Sequence, residues 1–91
     1  MMLEELRDYV ERAVKEYNLY RSPEAEAEII GFGEGRFTVM FKGPFCQSCG
    51  LYDYFEDLIY IMKEKWGIEL EITDIEENNG LFQVEYRIKR S

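Results

Sequence analysis

The sequence predicts a two-layer α+β fold of element order α-β-β-α-β-β, in which two helices lie on one face of a four-stranded, mainly antiparallel sheet. Two observations lead there. Apolar residues recur at three and four positions in two stretches and at every second position in four others. The alternating stretches also come in two pairs, each joined by a glycine-bearing turn, so each helix is followed by a hairpin. With 91 residues the chain makes one domain, 1–91, and at 46% hydrophobic residues it can fill one core.

The first helix is expected from Met2 to about Tyr20, with Leu3, Leu6, Val10, Ala13, Val14 and Tyr17 forming its apolar stripe. Glu4–Arg7, Asp8–Arg12 and Glu11–Lys15 are expected as neighbours on its wet face. Ser22-Pro23 should end it, because the residue before a proline is pushed out of the α region. In "EAEAEIIGF" Ala25, Ala27 and Ile29 alternate with Glu24, Glu26 and Glu28, which reads as a strand with one acidic, solvated face. "GFGEGR" is its turn, and "RFTVMFK" returns with Phe37, Val39 and Phe41 on one side.

A second helix is expected from about Ser48 to Trp66. Leu51, Phe55, Leu58, Ile59, Met62 and Trp66 make its stripe, and Gly67 stops it. "IELEIT" and "LFQVEYRIK" then read as two strands joined by a turn in "EENNG", since Asn and Gly take left-handed conformations readily. The apolar parity slips between Ile72 and Ile75, which predicts a bulge or a strand end. Glu69, Glu71, Glu85, Arg87 and Lys89 should lie on the wet face of the sheet as cross-strand ion pairs.

Charge and composition narrow the function. Nineteen acidic residues against 11 basic ones, a net charge of −8, argue against nucleic acid and against an anionic membrane surface as partners. The longest apolar runs are too short to span a bilayer, and "MMLEELRDYV" lacks an apolar signal core, so a cytoplasmic location is expected. Histidine is absent and serine occurs only at Ser22, Ser48 and Ser91, so a Ser–His–Asp apparatus cannot be assembled. No enzymatic activity is expected apart from redox activity of the C-x-x-C pair, which the sequence leaves open. The abundance of Glu, Lys, Arg and Tyr, with few amides, resembles a heat-adapted composition.

The chemistry is concentrated in "FKGPFCQSCGLYDYFEDL". Its two cysteines, Cys46 and Cys49, are the only ones in the chain, spaced C-x-x-C, between a predicted strand and a predicted helix. A helix N-terminus favours thiolate, the form required both for metal binding and for disulfide exchange. Three readings follow. The first is a metal site, either iron–sulfur or zinc. Such sites want four ligands, so two chains would have to meet at their C-x-x-C loops in a homodimer. The second is a thiol–disulfide redox pair of thioredoxin type, although that site also uses a later cis-proline and this chain has no proline after Pro44. The third is two packed thiols, or a disulfide, without chemistry, in a metal-free protein–protein interaction module.

The run "EAEIIGFGEGRFTVMFKGPFCQSCGLYDYFEDLIYIMKEKWGIELEITDI" resembles the NifU C-terminal (NFU-type) iron–sulfur scaffold domain. In that family a helix precedes a hairpin whose second strand runs through a glycine into C-x-x-C, and an amphipathic helix and a further strand follow. On this resemblance Val39 to Gly43 correspond to the strand and its glycine, Cys46 and Cys49 to the cluster thiols, and Leu51 to Lys65 to the helix. The resemblance implies a labile [4Fe–4S] cluster shared by two subunits and passed to an apo-protein client.

Other features have plainer readings. "GFGEGR" joins two antiparallel strands and opens no helix, so it is expected to be a turn rather than a phosphate cradle. Asp53, Glu56 and Asp57 are expected to favour the dipole of the second helix. Tyr52 and Tyr60 fall off that helix's apolar stripe, close to the cysteines, and are expected as interface residues.

Overall fold

The computed structural model describes residues 3–21, 25–43 and 51–89. Over these the chain runs α1 (Leu3–Arg21), β1 (Glu26–Gly33), β2 (Arg36–Lys42), α2 (Leu51–Trp66), β3 (Leu70–Asn78) and β4 (Leu81–Ile88). All strand pairs are antiparallel and the sheet order is β1-β2-β4-β3. The α+β class and the element order are those the sequence predicts. The expected start of the second helix at Ser48 and the Ser22-Pro23 break both lie outside the described residues. Among the described residues no helix is long and apolar enough to cross a membrane.

Strand order is what the alternation could not reveal. β4 lies between β2 and β3 and pairs with both, so the last strand in sequence is central in the sheet. Since β2 and β3 are each antiparallel to β4, they run parallel to one another, and β2-α2-β3 is a split βαβ unit with β4 inserted. Register places Ile29, Val39 and Val84 in one row across the sheet, and Phe41 and Phe82 in another. These rows face the helices. The core they build with α1 and α2 includes Val10, Tyr17, Phe55, Leu58, Met62 and Leu70.

Both edge strands carry a bulge and both inner strands are regular. In β1 the register shifts between Ile29 and Gly31, leaving Ile30 exposed. That extra residue rephases the strand and brings Phe32 opposite Phe37, with ring centroids 6.2 Å apart. In β3 the shift falls between Ile72 and Asp74, where the parity slip predicts it. The strand does not end there but continues to Asn78, with every residue from Thr73 onward exposed. Asn79 and Gly80, at φ 55° and 82°, make the two-residue turn into β4 that right-handed strand twist favours. At the other hairpin Gly35 alone of the three "GFGEGR" glycines takes a left-handed φ, 69°.

The helices end and pair for local reasons. Gly67, at φ 68°, donates its N–H to the Lys63 carbonyl at 2.9 Å and closes α2. On α1 Asp8 pairs with Arg12 at 3.5 Å as expected, whereas Arg7 pairs with Glu11 at 3.5 Å rather than with Glu4. The outer face of the sheet also departs from expectation. Glu71 lies opposite Arg87, but among the described residues no cross-strand ion pair forms there. Instead Thr73 Oγ1 donates to Glu85 Oε1 at 2.7 Å across the β3 bulge.

Asn18 ties α1 to the free edge of β1. Its side chain accepts from the Ala27 N–H at 2.7 Å and donates to the Ala27 carbonyl at 3.1 Å, as a neighbouring strand would. The middle of α2 is the most deeply packed part of the second helix, and Leu58 there is fully buried. Leu58→Ala should lower stability by about 2–5 kcal/mol through lost burial and the cavity left behind. Urea denaturation measures this, and a cost near zero would mean that α2 is phased differently on the sheet.

Candidate functional site

Cys46 and Cys49 lie outside the described residues. What the structure does describe is the frame on either side of them. β2 ends at Lys42, and the chain leaves it through Gly43 at φ 143°, a backbone conformation that side-chain-bearing residues rarely adopt. α2 is described from Leu51. The two flanks are held together by aromatic packing: Phe41 near the end of β2 and Phe55 near the start of α2 have ring centroids 5.0 Å apart. Phe82 of β4 packs on Phe55 at 5.6 Å, and Tyr17 of α1 meets Phe41 edge-on at 5.4 Å. Tyr86, on the same strand as Phe82, donates its hydroxyl to the Phe55 carbonyl at 2.8 Å, deep in the core.

Among the described residues no group of three or more His, Cys, Asp or Glu side chains could hold a metal ion. Of the acidic run in β1, Glu26 and Glu28 are exposed, and Glu24 lies outside the described residues. Tyr52 and Tyr60 are both exposed. They sit roughly 12 Å apart along the α2 axis, so they do not form one contiguous patch. Tyr54, between them, is half-buried beneath the Arg21 guanidinium, 4.7 Å from its ring centre.

Sequence reasoning missed the second feature of the molecule, a groove of about 550 Å³ between α1 and α2. Two interhelical ion pairs bridge the helices beside it. Arg21 of α1 binds the Asp57 carboxylate through two nitrogens, with Nε at 2.6 Å, and Lys65 Nζ lies 2.5 Å from Glu16 Oε1. Asp57 is therefore a tertiary ion-pair partner, not simply a charge favouring the helix dipole. Its pairing was invisible because Arg21 is 36 residues away in sequence. The α1 numbers fall as the α2 numbers rise along these pairs, so the helices pack antiparallel. Tyr20, Tyr60 and Ile61 line the groove between the bridges, and Tyr17 lies at its buried floor.

Two phenols are strongly perturbed. Burial, the largest cause, pushes Tyr17 well above the ordinary tyrosine range; the nearby Arg21 charge works against it, while Asp57 and Tyr54 add to it. Burial likewise drives Tyr86 upward, with smaller contributions from Tyr17, Tyr52 and Asp57. The two differ in satisfaction, since Tyr86 has the Phe55 carbonyl whereas the Tyr17 hydroxyl has no hydrogen-bond partner among the described residues.

No family model matches this chain, and no curated protein matches it.

Two predictions follow from the phenols. Removing an unpaired buried hydroxyl while keeping the ring should relieve its desolvation cost, so Tyr17→Phe should raise stability by about 1–3 kcal/mol, read from the denaturation midpoint. A loss of stability would mean that the hydroxyl is paired. Both phenols have folded pKa values above the unfolded value of about 10, so their neutral forms favour the native state. That contribution is full below about pH 10 and is lost as pH rises toward the folded values. In an alkaline titration Tyr17 and Tyr86 should ionise only together with unfolding, seen as tyrosinate absorbance rising in step with loss of circular dichroism.

Proposed function

We propose that this chain is a small metal-binding domain, an iron–sulfur scaffold or carrier, that uses Cys46 and Cys49 as thiolate ligands and completes its site with the same pair from a second copy. The observation that supports this reading is the frame around the pair. A strand leaves the sheet through a positive-φ glycine, a helix is described from Leu51 to Trp66, and Phe41 against Phe55 clamps the two together. Both thiols lie in the seven residues, 44–50, that join these two positioned elements.

The donor set decides the stoichiometry. One chain carries two cysteines and no histidine. The described residues add no carboxylate cluster. A four-ligand site therefore fits only as one shared between two chains on a two-fold axis. Bound there, a [4Fe–4S] cluster or zinc would draw two thiolates from each chain, and as a carrier the domain would hold the cluster as cargo for an apo-protein client. The chain's own contribution would be to supply Cys46 and Cys49 as thiolates, the form that a helix N-terminus favours. Tyr52, one residue into α2, is the exposed aromatic closest in sequence to Cys49 and is assigned to the dimer contact.

Because neither chain has enough ligands alone, binding and dimerisation are one event. Anaerobic reconstitution with iron and sulfide should convert monomer to dimer, generate visible sulfur-to-iron absorption, and reduce the accessibility of Tyr52. Cys46→Ser or Cys49→Ser should abolish metal uptake and dimerisation while leaving the circular dichroism of the fold unchanged. A chain that stays monomeric with both thiols reduced, and takes up neither iron nor zinc anaerobically, overturns the proposal.

A further inference from the structure

The groove between α1 and α2 has its own charge balance. Its acids are Glu16, Asp57 and Glu64, and its bases are Arg21 and Lys65. Both bases are consumed internally, by Asp57 and Glu16 respectively. Among the described residues Glu64 forms no ion pair, so the groove keeps an uncompensated negative charge. Beside it stand two phenol rings that the fold leaves in water: Tyr20 is 82% exposed and Tyr60 68%. Burying neither ring costs apolar area that α1 and α2 could have covered with each other, and both rings lie on the same groove.

Aromatic faces beside a carboxylate, with no spare base, make a surface suited to an organic cation. The ring quadrupoles attract a guanidinium or ammonium group, and the carboxylate supplies charge. The net charge of −8 adds a long-range field that draws basic partners in. At this groove, whose own lining is net acidic, the same field disfavours a second copy of this chain as the occupant, because no shared metal offsets the repulsion there. Between Asp57 and Lys65 the groove follows α2 for about 12 Å, the span of about four residues of extended chain.

We propose that the α1–α2 groove docks a lysine- or arginine-bearing segment of a partner protein, with the cationic head group seated among Tyr20, Tyr60 and Glu64. The proposal does not use the cysteines, so its test gives the same expected result whether or not the chain binds metal.

The test titrates the isotopically labelled full chain with a short peptide of alternating lysine and glycine, with a matched glutamate–glycine peptide, and with lysine amide alone. The lysine peptide should shift the resonances of Tyr20, Tyr60, Ile61 and Glu64 saturably, and added salt should weaken it. Glu64→Lys should weaken binding by roughly tenfold, whereas Glu76→Lys on β3, the same change in net charge, should leave it nearly unaltered. Tyr60→Ala should weaken it as well. Equal losses from Glu64→Lys and Glu76→Lys, or shifts spread over the acidic surface, would show non-specific attraction and overturn the site. Binding of the glutamate peptide, lysine amide binding as tightly as the peptide, or groove shifts that follow protein concentration alone would each overturn the assigned occupant.

Discussion

Phe55 stands at the point where every layer of this protein meets. Its ring lies against Phe41 of β2 and Phe82 of β4, Phe41 in turn receives Tyr17 of α1, and the Phe55 carbonyl accepts the Tyr86 hydroxyl from within the core. One residue thus joins the second helix to both inner strands directly, and through Phe41 to the first helix. Burial of such rings supplies more apolar area per residue than any aliphatic side chain, and tilted and edge-on geometries add to it. The Tyr86 hydrogen bond is directional where the ring contacts are not, so it fixes where along the sheet α2 sits. The connection that carries Cys46 and Cys49 begins and ends on elements held in place by this cluster.

The sheet surrounding the cluster solves a different problem. Two hairpins could remain separate, each with exposed edges, yet here β2 pairs with β4 and leaves only β1 and β3 outside. Both outer strands are bulged and carry exposed carboxylates, Glu26 and Glu28 on β1 and several on β3, features that discourage pairing with another chain. On β1 the Asn18 amide goes further and satisfies the outward backbone groups of Ala27. Among the described residues the far part of β3 is left uncovered: Ile75 is on the core side by register, opposite Val84, and is still exposed. The two helices cover one end of that face more completely than the other.

The functional surfaces are divided in a similar way. The thiol pair belongs to the crossover from β2 to α2, whereas the tyrosine-lined groove belongs to the seam between the helices. Arg21–Asp57 and Lys65–Glu16 lie on that seam and are only partly exposed. They hold the helices together without filling the space between them, which is how a small domain retains a groove beside its core.

Local periodicity was sufficient for the type and order of the elements and for the irregularity in β3, because each depends on residues within a few positions of one another, but β1 runs to Gly33 and β3 to Asn78, into stretches that read as turns. The buried character of Val10, Val39, Phe55, Leu58, Leu70 and Val84 was legible for the same reason. The C-x-x-C spacing was likewise plain in the sequence, while its reading as a ligand pair remains the proposal made above. The β1 bulge was not legible, since "EIIGF" alternates equally well without it until Phe32 has to meet Phe37 across the strand pair. Strand order, the Arg21–Asp57 and Glu16–Lys65 bridges, the Asn18 clamp and the groove were decided only by the tertiary structure. Each joins residues whose proximity is produced by packing, and a charge or amide on a helix surface carries no local mark of the partner that the fold will bring to it.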